Sequence, residues 1–388
     1  MSSLTELIHE RCPLGVAYTR IADISTVLRG KRLTKNELTI AGAFPVFHGG
    51  LEPLGFYSQK NREADTTMVI NVGASAGTVG FCERDFWSSD GCFCISHSEH
   101  ALSKYVYYVL VNQQSFLMSK VRKAGIPTLD AKVVENLQIP LPPLAVQQEI
   151  VRILDSFTEL TTELNKKLTA ELTARRKQYE HYRDELLTFG DDVPSLPISQ
   201  IATFKYGYTD KAQDAGDARF IRITDITDDG CLNPLDAKYI NMTEESKKYL
   251  LTKGDLLLAR TGASYGKTLY YPDNSQAVYA SFLIKIKPDN TKILNRFYWH
   301  FSKSSLYWTQ AEKLVSKGGQ QQFNTGAIGR VLIPVPSLDE QRRIVSILDR
   351  FDAICNDLAS GLPAEIAARQ KQYEYYRDKL LTFKELDT

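Results

Sequence analysis

The sequence predicts two globular heads of mixed α/β (α+β) type. They are joined by two long antiparallel helices that form a coiled-coil-like spacer with a pseudo-twofold internal repeat. Three observations predict this. Residues 139–189 recur, without a gap, as residues 333–383. Each copy carries one apolar stripe at helical spacing. Each copy follows a longer segment containing several strand-like runs. The divisions that follow are a first head over 1–138, a spacer helix over 139–189, a second head over 190–332 and a second spacer helix over 333–388.

With 388 residues, each half is long enough to bury its own core. In the first head, 67–71 and 91–95 read as strands and 102–121 as a helix. In the second, 219–223, 255–260 and 281–286 read as strands and 291–313 as a helix. Gly73-Ala74-Ser75-Ala76-Gly77 parallels Gly262-Ala263-Ser264-Tyr265-Gly266 at an offset of 189, and Phe93 matches Phe282 at the same offset. A small-residue turn lets a backbone approach a phosphate, but no Gly-Lys-Ser/Thr follows, so a tight strand connection is the favoured reading. Cys82, Cys92, Cys94, His97 and His100 are the one cluster with metal-ligand chemistry. A single residue separates Cys92 from Cys94 and no second pair exists, which favours buried strand thiols over zinc.

The spacer copies begin alike, with Ile139-Pro140-Leu141-Pro142 and Ile333-Pro334-Val335-Pro336, and over half of their paired positions are identical. Ile150, Leu154, Phe157, Leu160, Leu164, Leu168 and Leu172 recur in steps of three and four, and the stripe continues through Tyr179, Tyr182 and Leu186. The same register runs from Ile344 to Leu380. Prolines stop the preceding strand, and Ser337 with Glu340 forms a capping-box signature. A straight helix from Gln147 to Phe189 would be about 60 Å long. One stripe per helix needs a partner, and two similar stripes suit each other. Gly361-Leu362-Pro363 predicts a break in the second copy.

Composition excludes more than it identifies. Lys plus Arg number 47 against 46 acids, a net charge of +1, so bulk charge gives no support to a nucleic-acid partner. If the chain holds DNA, other subunits supply much of the phosphate contact. No apolar run approaches the roughly 20 residues of a membrane span. Residues 1–10 lack the cationic, apolar pattern of a signal peptide, so a cytoplasmic protein is expected. There is no Asn/Asp-Pro-Pro-aromatic motif: Asn233-Pro234-Leu235 fails at its third position, and Pro142-Pro143 lacks the leading amide. Nor is there a Walker lysine loop or a His-Glu-x-x-His helix. A chain this long without such motifs favours a binding subunit, with no catalytic residue and no metal of its own.

Groups suited to nucleic acid gather in both heads. The first offers Lys31, Arg32, Lys35, Phe47, His48, Lys60, Arg62 and the loop Ser75, with Tyr57 interleaved. The second offers Lys211, Arg219, Arg222, Arg260, Ser264, Tyr265 and Lys267, with Lys205, Tyr206 and Tyr208. It also offers Lys317, Gln320, Gln321 and Gln322. Arginine suits guanine and glutamine suits adenine, whereas lysine and tyrosine suit phosphates. A solvated surface is the competing explanation for each.

The order head, repeated helix, unlike head, repeated helix resembles the specificity subunit of type I restriction-modification systems. The resemblance also rests on Cys12-Pro13-Leu14-Gly15-Val16 and on Phe86-Trp87-Ser88-Ser89-Asp90. The junctions Leu141-Pro142-Pro143-Leu144 with Gln147 and Val335-Pro336-Ser337-Leu338 with Gln341 match too. It implies two target-recognition domains, each reading half of an asymmetric bipartite site in double-stranded DNA. The helices would set the gap and dock two methyltransferase subunits. S-adenosylmethionine, ATP and Mg would sit on those partners and on restriction/translocase subunits, leaving this chain without catalysis. Copy-equivalent pairs are then the partner-binding candidates: Gln147 with Gln341, Arg175 with Arg369, Lys177 with Lys371, Tyr179 with Tyr373, and Arg183 with Arg377. Helix solubility and salt bridges within the rod would explain the charged pairs equally well. A DNA-processing enzyme with unrecognised motifs and a coiled-coil scaffold are the alternatives.

Overall fold

The computed structural model describes residues 2–40, 42–316, 321–356 and 361–386. Two compact units emerge: Met1–Lys166 with Ala367–Thr388, and Lys167–Ile366. Each unit holds one head together with parts of both spacer copies.

The heads share one topology. In unit one a four-stranded antiparallel sheet runs in the order Val27–Arg29, Cys92–Ile95, Thr66–Ile70, Val79–Cys82. In unit two the order is Ala202–Tyr206, Leu283–Pro288, Leu256–Ala259, Thr268–Tyr270. Each head adds a three-stranded sheet whose central strand has one antiparallel and one parallel neighbour: Phe44–Phe47 with Trp87–Ser88, and Ala218–Ile221 with Ala277–Tyr279, are the parallel pairs. A two-stranded ribbon closes each head, ending at Gln138–Pro140 or Leu332–Pro334 immediately before a spacer helix.

Burial explains why these strands show little alternation in sequence. Every residue of Thr66–Ile70, Cys92–Ile95 and Leu256–Ala259 is buried, so both faces of the sheet are covered. In unit one, Val69, Phe93 and Ile95 face a core shared with the helices. Met68, Ile70, Cys92 and Cys94 face a second core with Phe47 and Phe86. The expected helices 102–121 and 291–313 are each divided. The first becomes Ser103–Asn112 and Gln114–Ser119, interrupted at Gln113. The second becomes Asn295–Phe301 and Ser305–Leu314, where Ser304 Oγ caps the new start by accepting from the Tyr307 N–H at 3.2 Å.

The first spacer copy is one helix, Leu144–Leu186, of 43 residues. The second is not one long helix but two, Leu338–Asn356 and Leu362–Leu381, divided where the glycine and proline predict a break. Pro363 stands in the opening turn, where a missing N–H costs no hydrogen bond. Ser337 caps the first of these, accepting from Glu340 N–H at 3.3 Å. The reciprocal arm of the capping box is replaced, because the Glu340 carboxylate takes Arg343 at 2.6 and 2.8 Å.

Each head core incorporates the start of its own spacer copy and the end of the other. Val146, Ile150 and Leu154 join Leu381 in unit one; Ile344 and Leu348 join Tyr179 and Leu187 in unit two. Contacts between copies are antiparallel in sense within each unit. Phe157 meets Tyr376 and Thr158 meets Tyr373 in one; Arg176 meets Asn356 and Tyr179 meets Phe351 in the other. The stripes do not cover each other completely, since Leu160 remains 62% exposed. Among the described residues no helix is long and apolar enough to cross a membrane.

Candidate nucleic-acid interface

In each head the first strand of the four-stranded sheet ends at a glycine that passes against the neighbouring parallel pair. A Cβ on Gly30 would lie 1.8 Å from the Ser89 oxygen, and one on Gly207 would lie 2.1 Å from that of Ala280. Only glycine fits there. The next residues bond identically: the Lys31 N–H donates to the Ser88 oxygen and the Tyr208 N–H to the Tyr279 oxygen, both at 2.9 Å. Two further chain segments converge on this crossing. Asn71 donates its N–H to the Gly91 oxygen at 3.2 Å and accepts from Leu129 N–H at 2.9 Å. Arg260 does the same with the Phe282 oxygen at 3.1 Å and Phe323 N–H at 2.8 Å.

These bonds correct one sequence alignment. Phe282 takes the place of Gly91, not of Phe93. The true counterpart of Phe93 is Ile284, since Val69 pairs with Phe93 as Leu258 pairs with Ile284. The second head has two extra residues between its sheet strands at this point. Once the register is right, the rim of the first head carries Arg29, Lys31, Asn71 and Gly91, and that of the second carries Tyr206, Tyr208, Arg260 and Phe282. The frame is common; the chemistry it presents is not.

The small-residue turns are strand connections. Gly77 N–H donates to Ile70 oxygen at 2.7 Å and Gly266 N–H to Ala259 oxygen at 2.9 Å, closing equivalent hairpins. Both glycines have positive φ and press on a helix, at Met118 and Trp308 respectively. Ser75 and Ser264 supply backbone acceptors inside these turns, for Thr78 and Lys267 N–H at 3.0 and 3.2 Å.

The predicted DNA contacts divide sharply. Phe47 is a core residue, edge-on to Phe86 at 5.5 Å, which removes it from the surface set. Tyr265 packs against Trp308 and Phe323. Arg62 is turned inward, donating to the Asn61 and Arg29 carbonyls at 2.6 and 2.7 Å. Arg219 donates to the Asn233 carbonyl, and Arg222 forks onto Asp225 and Asp236. Lys60 pairs with Asp85 at 2.7 Å, and Lys267 pairs with Asp228. Lys31, Arg32, Lys211, Gln321 and Gln322 are exposed, as is His48, whose Nδ1 accepts from Gly91 N–H at 3.2 Å. Lys317 and Gln320 lie outside the described residues, as does the Lys35 side chain. The structure brings Arg260 together with Tyr206 and Phe282. The placement of Arg29, Asn71 and Phe282 at this crossing was missed in the sequence, because only strand register reveals it.

The predicted partner contacts divide too. Gln147 and Gln341 are fully buried clamps and present nothing to a partner. Gln147 Oε1 accepts from Leu102 N–H at 2.9 Å, and its Nε2 donates to the His100 and Pro142 carbonyls at 2.9 and 2.8 Å. Gln341 repeats this with Leu294 N–H and the Lys292 and Pro336 carbonyls, at 2.9, 2.8 and 2.9 Å.

Tyr179 is likewise internal, its hydroxyl 3.0 Å from His300 Nδ1, and the buried Arg183 guanidinium lies over its ring. His300 Nε2 is 2.7 Å from Asp349. A carboxylate only accepts, so Nε2 carries the proton and Nδ1 receives the Tyr179 hydroxyl. Burial drives the His300 pKa down to about 4 and raises that of Tyr179, consistent with both being neutral. In unit one the matching node is Tyr108 on Asp155 at 2.5 Å, with Thr158 bridging to Tyr373 at 2.9 Å. Arg377 donates to Asn112 at 3.1 Å. Arg175, Lys177, Arg369 and Lys371 are exposed; Arg175 bonds Glu171 and Gln178, and Arg369 bonds Gln372.

Comparison with known proteins agrees with this architecture. The chain matches the family described as type I restriction modification DNA specificity domain over residues 13–174 and 191–368. It is 29% identical, over 386 residues, to a putative type I restriction enzyme specificity subunit of Haemophilus influenzae, covering 95% of this chain and 96% of that one. It is 33% identical, over 318 residues, to the EcoR124I/EcoR124II specificity subunit of Escherichia coli, covering 74% and 72%. A solved chain from a study of complex assembly and conformational transition of the type I R-M system has a TM-score of 0.65 at 17% identity, covering 95% and 98%. The type I S subunit from M. genitalium has a TM-score of 0.51 at 18% identity, covering 95% and 96%. At such identities the structural likeness speaks to the fold.

Proposed function

The chain belongs to the type I restriction modification DNA specificity family, and from that premise we propose that its heads read the two unlike halves of a split, asymmetric DNA target. As a specificity subunit it is non-catalytic. The observation that carries the reading is the common frame with unlike rims. Two heads closed by the same backbone bonds around Gly30 and Gly207 offer Arg29 and Lys31 in one and a Tyr-Tyr-Arg-Phe set in the other. A device that read two identical half-sites would have no use for that difference.

The spacer copies act as a coiled-coil-like ruler between the half-sites and as the seat of two methyltransferase subunits. Its exposed copy-equivalent groups, Arg175 with Arg369 and Lys177 with Lys371, are matched positions for two copies of one partner. Leu160 and Leu164, with Tyr373 and Tyr376, line an open apolar groove suited to a partner helix. S-adenosylmethionine belongs to the methyltransferase subunits, and ATP with Mg to restriction/translocase subunits. The near-zero net charge of this chain fits an assembly in which those partners neutralise most of the phosphates.

The test is co-expression of this chain with its methyltransferase subunit, followed by base-resolution mapping of methylated sites in the host genome. A single motif of two unlike halves separated by unspecified bases is expected. A palindromic motif, a contiguous motif, or methylation by the chain without the partner overturns the proposal.

A further inference from the structure

Arg260 is built unlike the other arginines of the second head. Its backbone is held on both sides, by the Phe282 oxygen and the Phe323 N–H. Its Nε donates to the Ser281 oxygen at 3.1 Å, which fixes the plane of the guanidinium. Two aromatic rings flank that plane, with Cζ 5.3 Å from the Tyr206 ring and 5.5 Å from the Phe282 ring. Both residues are about half exposed, Tyr206 at 43% and Phe282 at 51%. Here they support a cation and form a platform around it.

The outer nitrogens of Arg260 make no hydrogen bond among the described residues. Arg219 turns one outer nitrogen onto the Asn233 carbonyl, and Arg222 is neutralised by Asp225 and Asp236. Lys267 is paired with Asp228. Arg260 is therefore an ordered guanidinium that has been oriented but not satisfied. Two parallel N–H donors in one plane match the N7 and O6 acceptors on the major-groove edge of guanine, and no other base pair edge offers two acceptors at that spacing. The corresponding Asn71 of the first head is buried and donates to the Asp90 carbonyl at 3.3 Å, so the first head lacks this device.

Resting on the proposal that the heads read DNA, we propose that Arg260, braced by Tyr206 and Phe282, is the residue with which the second head selects a guanine. One half of the target then contains a guanine whose recognition depends on Arg260, and the other half is indifferent to it. Lysine at this position keeps the charge but loses the fork.

The full chain is co-expressed with its methyltransferase subunit as wild type, Arg260→Lys and Arg260→Ala, and methylated sites are mapped at base resolution. Discrimination for the guanine is expected to fall about 10- to 100-fold in one half-site, with the other half and the gap unchanged. A motif that keeps the guanine while methylation weakens uniformly makes Arg260 a phosphate contact and overturns the proposal. So does a wild-type motif in which neither half contains guanine. A second measurement leaves the protein unaltered: the wild-type complex methylates duplexes carrying 7-deazaguanine at each guanine of the motif. Loss of N7 is expected to slow methylation roughly tenfold at one guanine only, and no loss at any of them overturns the proposal. A wild-type complex that methylates no split site refutes the DNA-reading function together with this role. A split site that both probes leave untouched refutes the role alone.

Discussion

Replacing Gln147 or Gln341 by alanine separates a structural clamp from a docking contact. Each side chain bonds one backbone N–H and two backbone carbonyls, and each is 0% exposed. Truncation leaves all three groups without this partner, the Pro142 or Pro336 carbonyl in a buried setting and the other two in part-buried ones. A stranded buried group costs about 1–3 kcal/mol, and a carbonyl with a second lone pair lies at the low end. Allowing for local relaxation, about 3 kcal/mol is expected per variant. At roughly 2–4 °C per kcal/mol for a domain of this size, the Tm of the affected unit falls by about 6–12 °C. Calorimetry on the full chain, alone and with the methyltransferase subunit, reads this directly. Gln147→Ala should destabilise Met1–Lys166 with Ala367–Thr388, and Gln341→Ala should destabilise Lys167–Ile366. An unchanged Tm with lost methyltransferase binding would refute the clamp and restore the glutamines as partner contacts.

Two further outcomes are expected. His300 is neutral in the folded state, with its pKa lowered by burial from 6.5 to about 4, despite the Asp349 contact and beside Arg296 and Lys303. The unfolded chain therefore binds the proton first, so the stabilisation is complete above about pH 6.5 and is lost as pH falls toward about 4, on the order of 3 kcal/mol at most. Urea unfolding between pH 4 and pH 7 should show this, and His300→Tyr, which copies Tyr108, should flatten the slope; an equally steep slope in the variant counts against it. Inserting one more Leu-Thr-Ala-Glu unit beside Leu168-Thr169-Ala170-Glu171 lengthens the 43-residue helix by about 6 Å and turns it by about 40°. The gap between half-sites should grow by one or two base pairs with both halves retained, and a methylation map with the old gap would refute the ruler.

The helical repeat was legible because it is written locally: a stripe every three or four residues and a Pro-flanked entry are visible without knowing the fold. The break at Gly361-Leu362-Pro363 was legible for the same reason. The interface was not. Phe47 and Tyr265 read as aromatic residues interleaved with basic ones, yet Phe47 lies in a covered sheet whose strands leave no alternation to mark the outer side, and Tyr265 turns from its loop onto Trp308 and Phe323, a tertiary contact the local sequence does not show. Arg62, Arg219 and Arg222 read as DNA contacts in the sequence, but their carbonyl and carboxylate partners are set by tertiary pairing. The alignment of Phe93 with Phe282 failed by two residues, since equal spacing along the chain is not equal register across a sheet. Gln147 and Gln341 stood out correctly as a repeated signature, but a repeat cannot say whether it faces outward or inward.

If the rims read DNA as proposed, the division between frame and rim limits how such a chain can change its target. Gly30 and Gly207 cannot gain a Cβ without displacing a backbone carbonyl, and the glutamine clamps cannot be shortened without stranding three groups. The node linking each head to the helices is more permissive in chemistry than in geometry. Tyr108 on Asp155 and His300 on Asp349 both place one neutral donor on a spacer carboxylate. Each is also tied to a tyrosine of the opposite copy, through Thr158 to Tyr373 in one case and directly to Tyr179 in the other. A phenol and an imidazole are interchangeable there only because burial keeps both uncharged in the folded protein. An exchanged head must bring its own version of that donor, whereas its rim can carry any side chains the crossing tolerates. On the proposed reading, target preference can change at Arg29, Tyr206, Arg260 and Phe282, none of which is buried, whereas the buried Asn71, bonded to the Asp90 carbonyl, belongs with the frame, as do the joints to the spacer.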